Sequence, residues 1–184
     1  TKVKKRNGSN EPLNLEKMHV MVEQACDGLA GVSASQVEIQ SGIQFYDGIS
    51  TAEIQEILIR SASDLIDLDH PNYQFVAARL LLFSLRKNLY GRMHEIPLIK
   101  DHVVKCVAKG IYDKDILNLY SDEEFVKLES FIDHDRDYLF TYAGLRQVVD
   151  KYLVQDRSNG DIYETPQFMY LLIAATIFSK YPQE

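Results

Sequence analysis

Apolar residues recur at intervals of three and four along most of the chain, which is the spacing of one face of an α-helix. The first half carries this pattern near 15–29, 33–43, 50–65 and 72–89. The second half carries it near 100–109, 113–119, 121–132 and 142–150, and from Thr165 to Tyr181-Pro182. The pattern therefore predicts a mainly α-helical chain with four helices in the first half.

Turn residues and helix-capping residues mark the ends of the predicted elements. Asn7-Gly8 between residues 3–6 and 11–13, and Asn159-Gly160 between residues 152–155 and 161–163, predict two short β-hairpins. Ser50 with Glu53, and Ser121 with Glu124, have the spacing of a capping box, in which the two side chains satisfy the first N–H groups of a helix.

The least periodic stretch, residues 93–97, is the predicted domain boundary. The predicted fold is mainly α: a small β-hairpin cap on a four-helix bundle over residues 1–92, and a second helical segment with one β-hairpin over residues 93–184.

Charge and composition narrow the possible functions. The 184 residues include 20 Lys and Arg and 27 Asp and Glu, with a formal net charge of −7, which argues against a nucleic-acid partner. Residues 1–92 hold 10 basic and 11 acidic side chains, whereas residues 93–184 hold 10 and 16, so the first half is the better place for an anion. No run of 18 apolar residues and no signal peptide is found, and two cysteines favour a reducing, cytoplasmic setting.

A basic cluster near the first turn is a candidate phosphate site. Lys5 and Arg6 enter the predicted turn, Thr51 lies in the first turn of a helix, where free N–H groups favour an anion, and Lys87 lies near the end of the fourth helix. The alternatives stay open: the cluster is a solvated N-terminus, Thr51 is part of the helix cap, and Lys87 complements the helix C-terminus.

Three polar residues entering the first helix form a second candidate group. Glu11, Asn14 and Lys17 are spaced by three and can face one way. The amide of Asn14 both donates and accepts hydrogen bonds, which suits the Watson–Crick edge of a base, although Asn14 is equally suited to be the N-cap of the helix.

Known catalytic and metal motifs are missing from the sequence. It has no Gly-rich phosphate loop, no dinucleotide fingerprint and no metalloprotease His pair. The acidic run 133–137 lacks the Gly and Glu of an EF-hand and is predicted to be a solvated or salt-bridged turn. Cys26 and Cys106 are predicted to be buried thiols, and we predict no catalytic residue and no metal site.

Five stretches together resemble a known family. They are Val-Lys-Lys-Arg-Asn-Gly at 3–8 with Glu11 and Asn14-Leu-Glu-Lys17, Ile-Gln-Phe-Tyr-Asp-Gly-Ile-Ser-Thr-Ala-Glu-Ile at 43–54, Pro-Asn-Tyr-Gln-Phe-Val-Ala-Ala-Arg-Leu at 71–80, Phe-Ile-Asp-His-Asp-Arg-Asp at 131–137 and Lys-Tyr-Leu-Val at 151–154. The first three resemble an ATP-cone. With the last two, the chain is similar over essentially its whole length to the N-terminal region of the large subunit of class I ribonucleotide reductase of the aerobic bacterial type.

The resemblance implies a function for the region. In that family the cone and a helical segment lead into a ten-stranded α/β barrel, and ATP at the cone activates while dATP inhibits the reduction of ribonucleotides to deoxyribonucleotides for DNA synthesis. It implies a thioredoxin- or glutaredoxin-dependent parent enzyme that works with a radical-bearing small subunit and other large subunits. ATP or dATP is the implied effector, with Mg²⁺ and without a covalently bound cofactor. The catalytic cysteines belong to the barrel, so this chain by itself is expected to be inactive.

The resemblance also implies roles for particular residues. Lys5, Arg6, Thr51 and Lys87 would bind the phosphates, Glu11 and Asn14 the adenine, and Lys17 the sugar–phosphate side. Val3, Met18, Phe45 and Ile54 would form the pocket wall. Gln55 is the fifth implied wall residue, and it stands where related bacterial sequences often have His, so a possible cation is lost.

Two other classes of protein compete with this interpretation. A cone-type nucleotide-sensing regulator would carry a four-Cys zinc ribbon, which two distant cysteines cannot form. A helical protein-interaction module would not bind nucleotide, and its basic hairpin would have no function.

Overall fold

The structure is a computed structural model that describes residues 1–181, and it confirms the mainly helical fold. The helices are α1 Leu15–Cys26, α2 Ala34–Gly42, α3 Thr51–Asp64, α4 Tyr73–Tyr90, α5 Ile99–Ala108, α6 Asp122–Glu129, α7 Tyr142–Gln147 and α8 Pro166–Ile177. The strands are β1 Lys2–Lys4, β2 Asn10–Pro12, β3 Ile49–Ser50, β4 Gln155–Asp156 and β5 Asp161–Ile162. Short 3-10 helices cover Lys114–Asn118 and His134–Leu139, and a π-helical turn covers Val148–Tyr152.

The chain divides into two compact units. The first contains residues 1–84 and 138–147, and the second contains residues 85–137 and the chain from residue 148 onward. Helix α4 contributes to both, with Ser84 its last residue in the first unit and Leu85 its first in the second. The division at residues 93–97 stays a prediction.

The sheet of the first unit has one strand more than predicted. Strand β1 pairs antiparallel with β2, as the Asn-Gly turn predicts, and parallel with β3, in the order β2-β1-β3. The prediction of a simple hairpin cap was incomplete because β3 is two residues long and pairs with a strand more than forty residues earlier. Val3 faces the core from β1, whereas Lys2 and Lys4 face solvent.

Helices α1 to α4 pack their apolar faces into the core of the first unit, where the side chains of Val22, Val37, Leu58 and Val76 are fully buried. Helix α1 ends at Cys26 rather than near Leu29, with Gly28 just beyond at φ +70°. Arg79 Nη1 of α4 donates to the carbonyls of Ala25 at 3.3 Å and Asp27 at 2.7 Å, which satisfies the end of α1.

The second unit has its own core, made by Ile99 and Val103 of α5, Phe125 of α6, and Phe168 and Leu172 of α8. The capping box of Ser121 and Glu124 is confirmed at α6, and the hairpin of β4 and β5 is confirmed.

Several predicted boundaries in the second half were wrong. Helix α6 ends at Glu129 rather than near residue 132. The helix expected over 113–119 is a 3-10 helix, and the one over 142–150 changes to a π-helical turn after Gln147. Thr165 stands at the N-cap position of α8 without a side-chain cap bond, and α8 ends at Ile177. The predicted stop at Pro182 lies outside the described residues.

The acidic turn at 133–137 is only partly solvated. Asp133 and Asp135 are exposed, and Asp133 Oδ2 lies 3.8 Å from Arg136 Nε, whereas Asp137 is buried beside Arg86, so the salt-bridge alternative holds for Asp133 and Asp137. Among residues 1–181, we find no helix with the length and hydrophobicity that crossing a membrane requires.

Candidate functional site

The ends of two parallel strands bring two predicted phosphate ligands to one edge of the sheet. Lys4 of β1 is in register with Ser50 of β3, and the next residues along the two strands are Lys5 and Thr51. Because the strands are parallel, their carboxyl ends lie at the same edge. Helix α3 begins at Thr51, so its N-terminus opens at that edge as well.

The N-terminus of α3 is capped in a way that leaves room for an anion. The Oγ of Ser50 accepts from the N–H of Glu53 at 3.1 Å, and Oε2 of Glu53 accepts from the N–H of Ser50 at 2.9 Å. This box uses neither the N–H of Thr51 nor that of Ala52. Hydrogen bonds from Ser50 and then from the Tyr46 hydroxyl hold the pKa of Glu53 below its usual range, so its carboxylate is charged.

The turn after β1 holds the basic cluster in place. The N–H of Lys5 donates to Ser9 O at 2.8 Å, and Gly8, at φ +82°, supplies the positive φ angle of the turn. Oδ1 of Asn7 accepts from the N–H of Ser9 at 3.0 Å and from its hydroxyl at 2.7 Å. Arg6 lies in this turn, exposed and beyond the end of β1, so strand alternation does not place it opposite Lys5.

A predicted phosphate ligand and a predicted base ligand contact each other directly. Lys5 Nζ lies 3.2 Å from Oε2 of Glu11, with side chains 37% and 56% exposed. Lys5 directly follows β1, and Glu11 lies in the neighbouring β2, where it is in register with Val3, two residues before Lys5. Both charges are therefore open to solvent and to a ligand.

Asn14 is the N-cap of α1, as one of its two predicted roles requires. Its Oδ1 accepts from the N–H of Lys17 at 2.8 Å. The cap engages only Oδ1, so the amide NH₂ is not used by it. Asn14 and Lys17 are both exposed, and the cap bond brings the two predicted ligands together.

Two of the predicted wall residues line an open groove of about 940 Å³ in the first unit. Met18 of α1 and Phe45, which follows α2, are half-buried and stand on its walls. Pro12 and Leu13, which directly follow Glu11 in the chain, also line the groove. Its complete lining is Thr1, Pro12, Leu13, Leu15, Glu16, Met18, His19, Ser35, Glu38, Ile39, Gly42 and Phe45.

The other three wall residues are buried in the core of the first unit. Val3 and Ile54 are apolar core residues. Gln55 is buried on α3, and its Oε1 accepts from the hydroxyl of Ser84 on α4 at 3.1 Å. Gln55 therefore connects two helices and presents no charge.

Lys87 is half-buried in the last turn of α4, where its carbonyl accepts from the N–H of Gly91 at 2.9 Å. It belongs to the second unit, whereas the other six predicted ligands belong to the first.

Sequence reasoning missed the groove and its ion pairs. His19 lies between Glu38 at 2.8 Å and Glu23 at 3.1 Å, and its hydrogen bond to Glu38 raises the pKa of the imidazole. The spacing of His19 and Glu23 on one helix face is a readable signal, but the pairing with Glu38 on α2 depends on tertiary packing. No group of three His, Cys, Asp or Glu side chains in residues 1–181 has the geometry of a metal site.

Two known protein families match parts of the chain. The ATP cone domain family matches residues 1–88, and the all-alpha domain of ribonucleotide reductase matches residues 138–183. All twelve predicted ligand and wall residues fall within the first range.

The chain is also similar to complete proteins. It is 53% identical over 182 residues to ribonucleoside-diphosphate reductase 1 subunit alpha of Escherichia coli K12, which covers 99% of this chain and 24% of that protein. It is 50% identical over 182 residues to the ribonucleoside-diphosphate reductase subunit alpha of Haemophilus influenzae, a match that covers 99% of this chain and 24% of that protein. It is 40% identical over 180 residues to the ribonucleoside-diphosphate reductase subunit alpha of phage T4, a match that covers 97% of this chain and 23% of the phage protein. The chain thus spans about a quarter of the length of the curated relatives it matches.

Proposed function

The chain belongs to the large-subunit family of ribonucleoside-diphosphate reductases and corresponds to the N-terminal region of that subunit, and we propose that its cone binds ATP or dATP as an allosteric effector. The observation that carries the proposal is the sheet edge at which Lys5, Thr51 and the N-terminus of α3 come together, inside the range that the ATP cone family matches. A helix N-terminus with adjacent cations is suited to phosphate because the N–H groups and the helix dipole attract negative charge.

The phosphates are proposed to lie at that edge. Lys5 and Arg6 supply positive charge, and the hydroxyl of Thr51 donates a hydrogen bond. Lys87 is proposed as the fourth phosphate ligand because the resemblance to the family implies this role. Oε2 of Glu11 lies 3.2 Å from Lys5 Nζ, so a phosphate at Lys5 would compete with this carboxylate for the ammonium group. Mg²⁺ would accompany the nucleotide and offset part of the remaining charge.

The base is proposed to lie toward α1. The unused amide NH₂ of Asn14 and the carboxylate of Glu11 match the acceptor and the amino group of adenine, and Lys17 would face the sugar–phosphate side. Met18 and Phe45 offer apolar surface in the adjoining groove. Val3 and Ile54 support this surface from the core, and Gln55 acts as a helix-to-helix contact without charge.

For the full-length parent, we propose the reduction of ribonucleoside diphosphates, activated by ATP and inhibited by dATP at this region. The small radical-bearing subunit and other large subunits are its proposed partners. The present chain is proposed to be inactive alone. Burial raises the pKa of Cys26 to about 11 and raises that of Cys106 as well, so neither thiol is a ready source of the thiolate that redox chemistry needs.

Nucleotide binding is tested by calorimetry and thermal unfolding with ATP, dATP and GTP, each with Mg²⁺. A ligand at a hundredfold excess over its Kd stabilises the native state by about 2.7 kcal/mol, so ATP and dATP should each raise the Tm by several degrees, and GTP should raise it less. Unchanged melting with millimolar ATP and dATP would support the helical interaction module instead.

A matched pair of variants locates the site. Lys5→Ala should weaken ATP binding about tenfold, since a charge-assisted bond to phosphate is lost. Lys4→Ala, one residue earlier and exposed on β1, is the control and should change ATP affinity less than twofold. Equal losses in both variants would indicate general electrostatic attraction rather than a site.

A further inference from the structure

A side chain joins the amino ends of β1 and β3, at the end of the strand pair opposite to the proposed phosphate edge. Oδ1 of Asp47, two residues before β3, accepts from the N–H of Lys2, the first residue of β1, at 2.6 Å. The N–H of Gly48 donates to the carbonyl of Lys2 at 2.8 Å. Two consecutive residues of the segment that enters β3 therefore bind both backbone polar groups of Lys2.

The strand pairing that this contact extends is short. Strand β3 has two residues, and its register with β1 consists of Val3 with Ile49 and Lys4 with Ser50. The burial of Val3 and Ile49 opposes a slip of one residue, because such a slip would turn each side chain to the other face of the sheet. Ends of so short a pair open easily, so a further bond at the amino end helps to keep the two strands aligned.

The place of this bond along the two chain segments connects it to the proposed phosphate ligands. Lys5 follows Lys2 by three residues, and Thr51, where α3 begins, follows Asp47 by four. At about 3.3 Å per residue of a strand, the bond lies about 10 Å from the phosphate edge. Asp47 therefore does not itself touch a phosphate held at that edge. Fixing the two segments at one end nevertheless fixes how far each of them reaches at the other.

We propose that Asp47 is a positioning residue for the phosphate edge. By binding the N–H of Lys2, its carboxylate fixes how far β1 reaches along β3, and this sets the placement of Lys5 beside Thr51. The inference rests on the proposed function of that edge. Charge alone would give the opposite result: a carboxylate near a phosphate site repels the anion, so its removal would strengthen ATP binding. Positioning requires that removal of Asp47 weakens ATP binding.

The test compares two neutral replacements of Asp47 in the 184-residue chain, with the Kd for MgATP measured by calorimetry. Asp47→Asn keeps an acceptor oxygen for the N–H of Lys2, so its Kd should stay within about twofold of that of the unchanged chain. Asp47→Ala removes the acceptor as well and should weaken binding about fivefold. Because both variants lose the same charge, their difference reports the hydrogen bond. Equal Kd values in the two variants, or tighter binding by Asp47→Ala, would overturn the proposal.

A second pair of variants removes the donor of the same bond. Lys2→Pro has no N–H, and proline is tolerated at the first residue of a strand, whereas Lys2→Ala loses the same side-chain charge but keeps the N–H. Lys2→Pro should bind MgATP about fivefold more weakly than Lys2→Ala. In the Lys2→Pro chain, Asp47→Ala should add less than about a twofold loss, because the bond is already absent, and additive losses would overturn the proposal. If Asp47→Ala does not fold, the two Lys2 variants decide the question, and equal Kd values for them would overturn the proposal.

Two further measurements separate positioning from a loss of stability. Val37→Ala removes methyl groups from the core of the first unit, so it should lower the Tm while leaving the Kd within about twofold. Amide hydrogen exchange at Lys2 and Gly48 should be faster in Asp47→Ala than in Asp47→Asn, with equal protection of Leu58 in α3. Equal exchange at Lys2 and Gly48 in the two variants would overturn the proposal. No ATP binding by the unchanged chain would instead refute the proposed function.

Discussion

The two units of the molecule differ in where their ionisable side chains lie. In the first unit the charges of interest are at the surface, as the ion pair of Lys5 and Glu11 illustrates, with Lys5 37% exposed. In the second unit several ionisable side chains are buried, and Arg86 is only 3% exposed. Exposed charges contribute little to stability and remain available to a ligand. Buried ones must find partners and thereby select one arrangement of the chain.

A chain of four hydrogen-bonded side chains in the second unit shows the same principle. The hydroxyl of Tyr112 donates to Glu164 and lies 3.0 Å from Nε2 of His102, and Nδ1 of His102 lies 3.4 Å from the hydroxyl of Tyr90. Since Tyr112 uses its proton on Glu164, Nε2 of His102 must carry the ring proton and Nδ1 must accept from Tyr90. Burial lowers the pKa of His102 to about 4, which fits this neutral form.

The largest effect is expected at Glu164. Glu164→Ala leaves the Tyr112 hydroxyl and the N–H of Val154, which donates at 2.9 Å, without their acceptor. Each unsatisfied buried donor costs roughly 1–3 kcal/mol, so the free energy of unfolding should fall by about 3 kcal/mol. Urea unfolding measures the loss. Glu164→Gln is the control, since its amide oxygen keeps one acceptor, and it should lose about half as much; equal losses would show that shape rather than hydrogen bonding matters.

An acid-dependent loss of stability should arise from His134. Burial, and then the charge of Arg86, lower its pKa to about 4, whereas an unfolded chain has the ordinary value of about 6.5. Between these values the unfolded state binds more protons, so stability falls as the pH falls, by up to about 1.4 kcal/mol per pH unit. His134→Leu should remove this contribution, so that the unchanged chain loses more stability than the variant from pH 6.5 to 4.5. Parallel unfolding curves for the two proteins would contradict the assignment.

Two neighbouring residues at the start of α3 sharpen the comparison within the first unit. Thr51→Val removes a proposed phosphate donor and should weaken ATP binding three- to tenfold, with the Tm nearly unchanged. Ser50→Ala breaks the capping box and should cost about 1 kcal/mol of stability with a smaller effect on Kd. Calorimetry of ATP binding and thermal unfolding of both variants test these expectations. If Thr51→Val instead lowered the Tm and left the Kd unchanged, Thr51 would be a structural residue rather than a phosphate ligand.

The smallest effect concerns Asn14, which has both a confirmed cap role and a proposed ligand role. Asn14→Ser keeps a good N-cap but loses the amide, so stability should change by a few tenths of a kcal/mol. The preference for ATP over GTP should fall about threefold. Asn14→Ala, which loses both functions, should also cost about 1 kcal/mol. A serine variant that keeps the full preference would leave Asn14 as a cap only.

Local signals in the sequence were sufficient for much of the first unit. The capping box at Ser50 and the turn at Gly8 depend on residues three or four apart, and both are confirmed. Strand β3 was missed because its only signal is a partner forty-six residues away in the chain, Val3 for Ile49. The same holds for Asp137: Asp133 and Asp135 in the same turn are exposed, and only tertiary packing, including the placement of Arg86, explains the burial of Asp137.

For the candidate site too, the sequence could identify individual residues but could not predict their tertiary contacts. Lys5 and Thr51 could be named from a basic turn and a helix start, yet their meeting at one sheet edge depends on the parallel pairing that the pattern did not reveal. Gln55 could be identified as a replacement for a cation, but its hydrogen bond to Ser84 requires the packing of α3 on α4. The sequence showed which types of residue could form the site, but it did not show which residues from distant parts of the chain contact each other.

The parallel pairing of β1 with β3 also sets an order of events during synthesis. The first strand is made at the beginning, and its partner emerges only after both α1 and α2 have been translated. At about 5–20 residues per second, the ribosome needs several seconds to make that interval. Pairing across so long a loop is slow compared with helix formation, so a nascent chain acquires helices first and the proposed phosphate-binding edge later. Under the proposed function, nucleotide capture would therefore report that the pairing of β1 with β3 is in place.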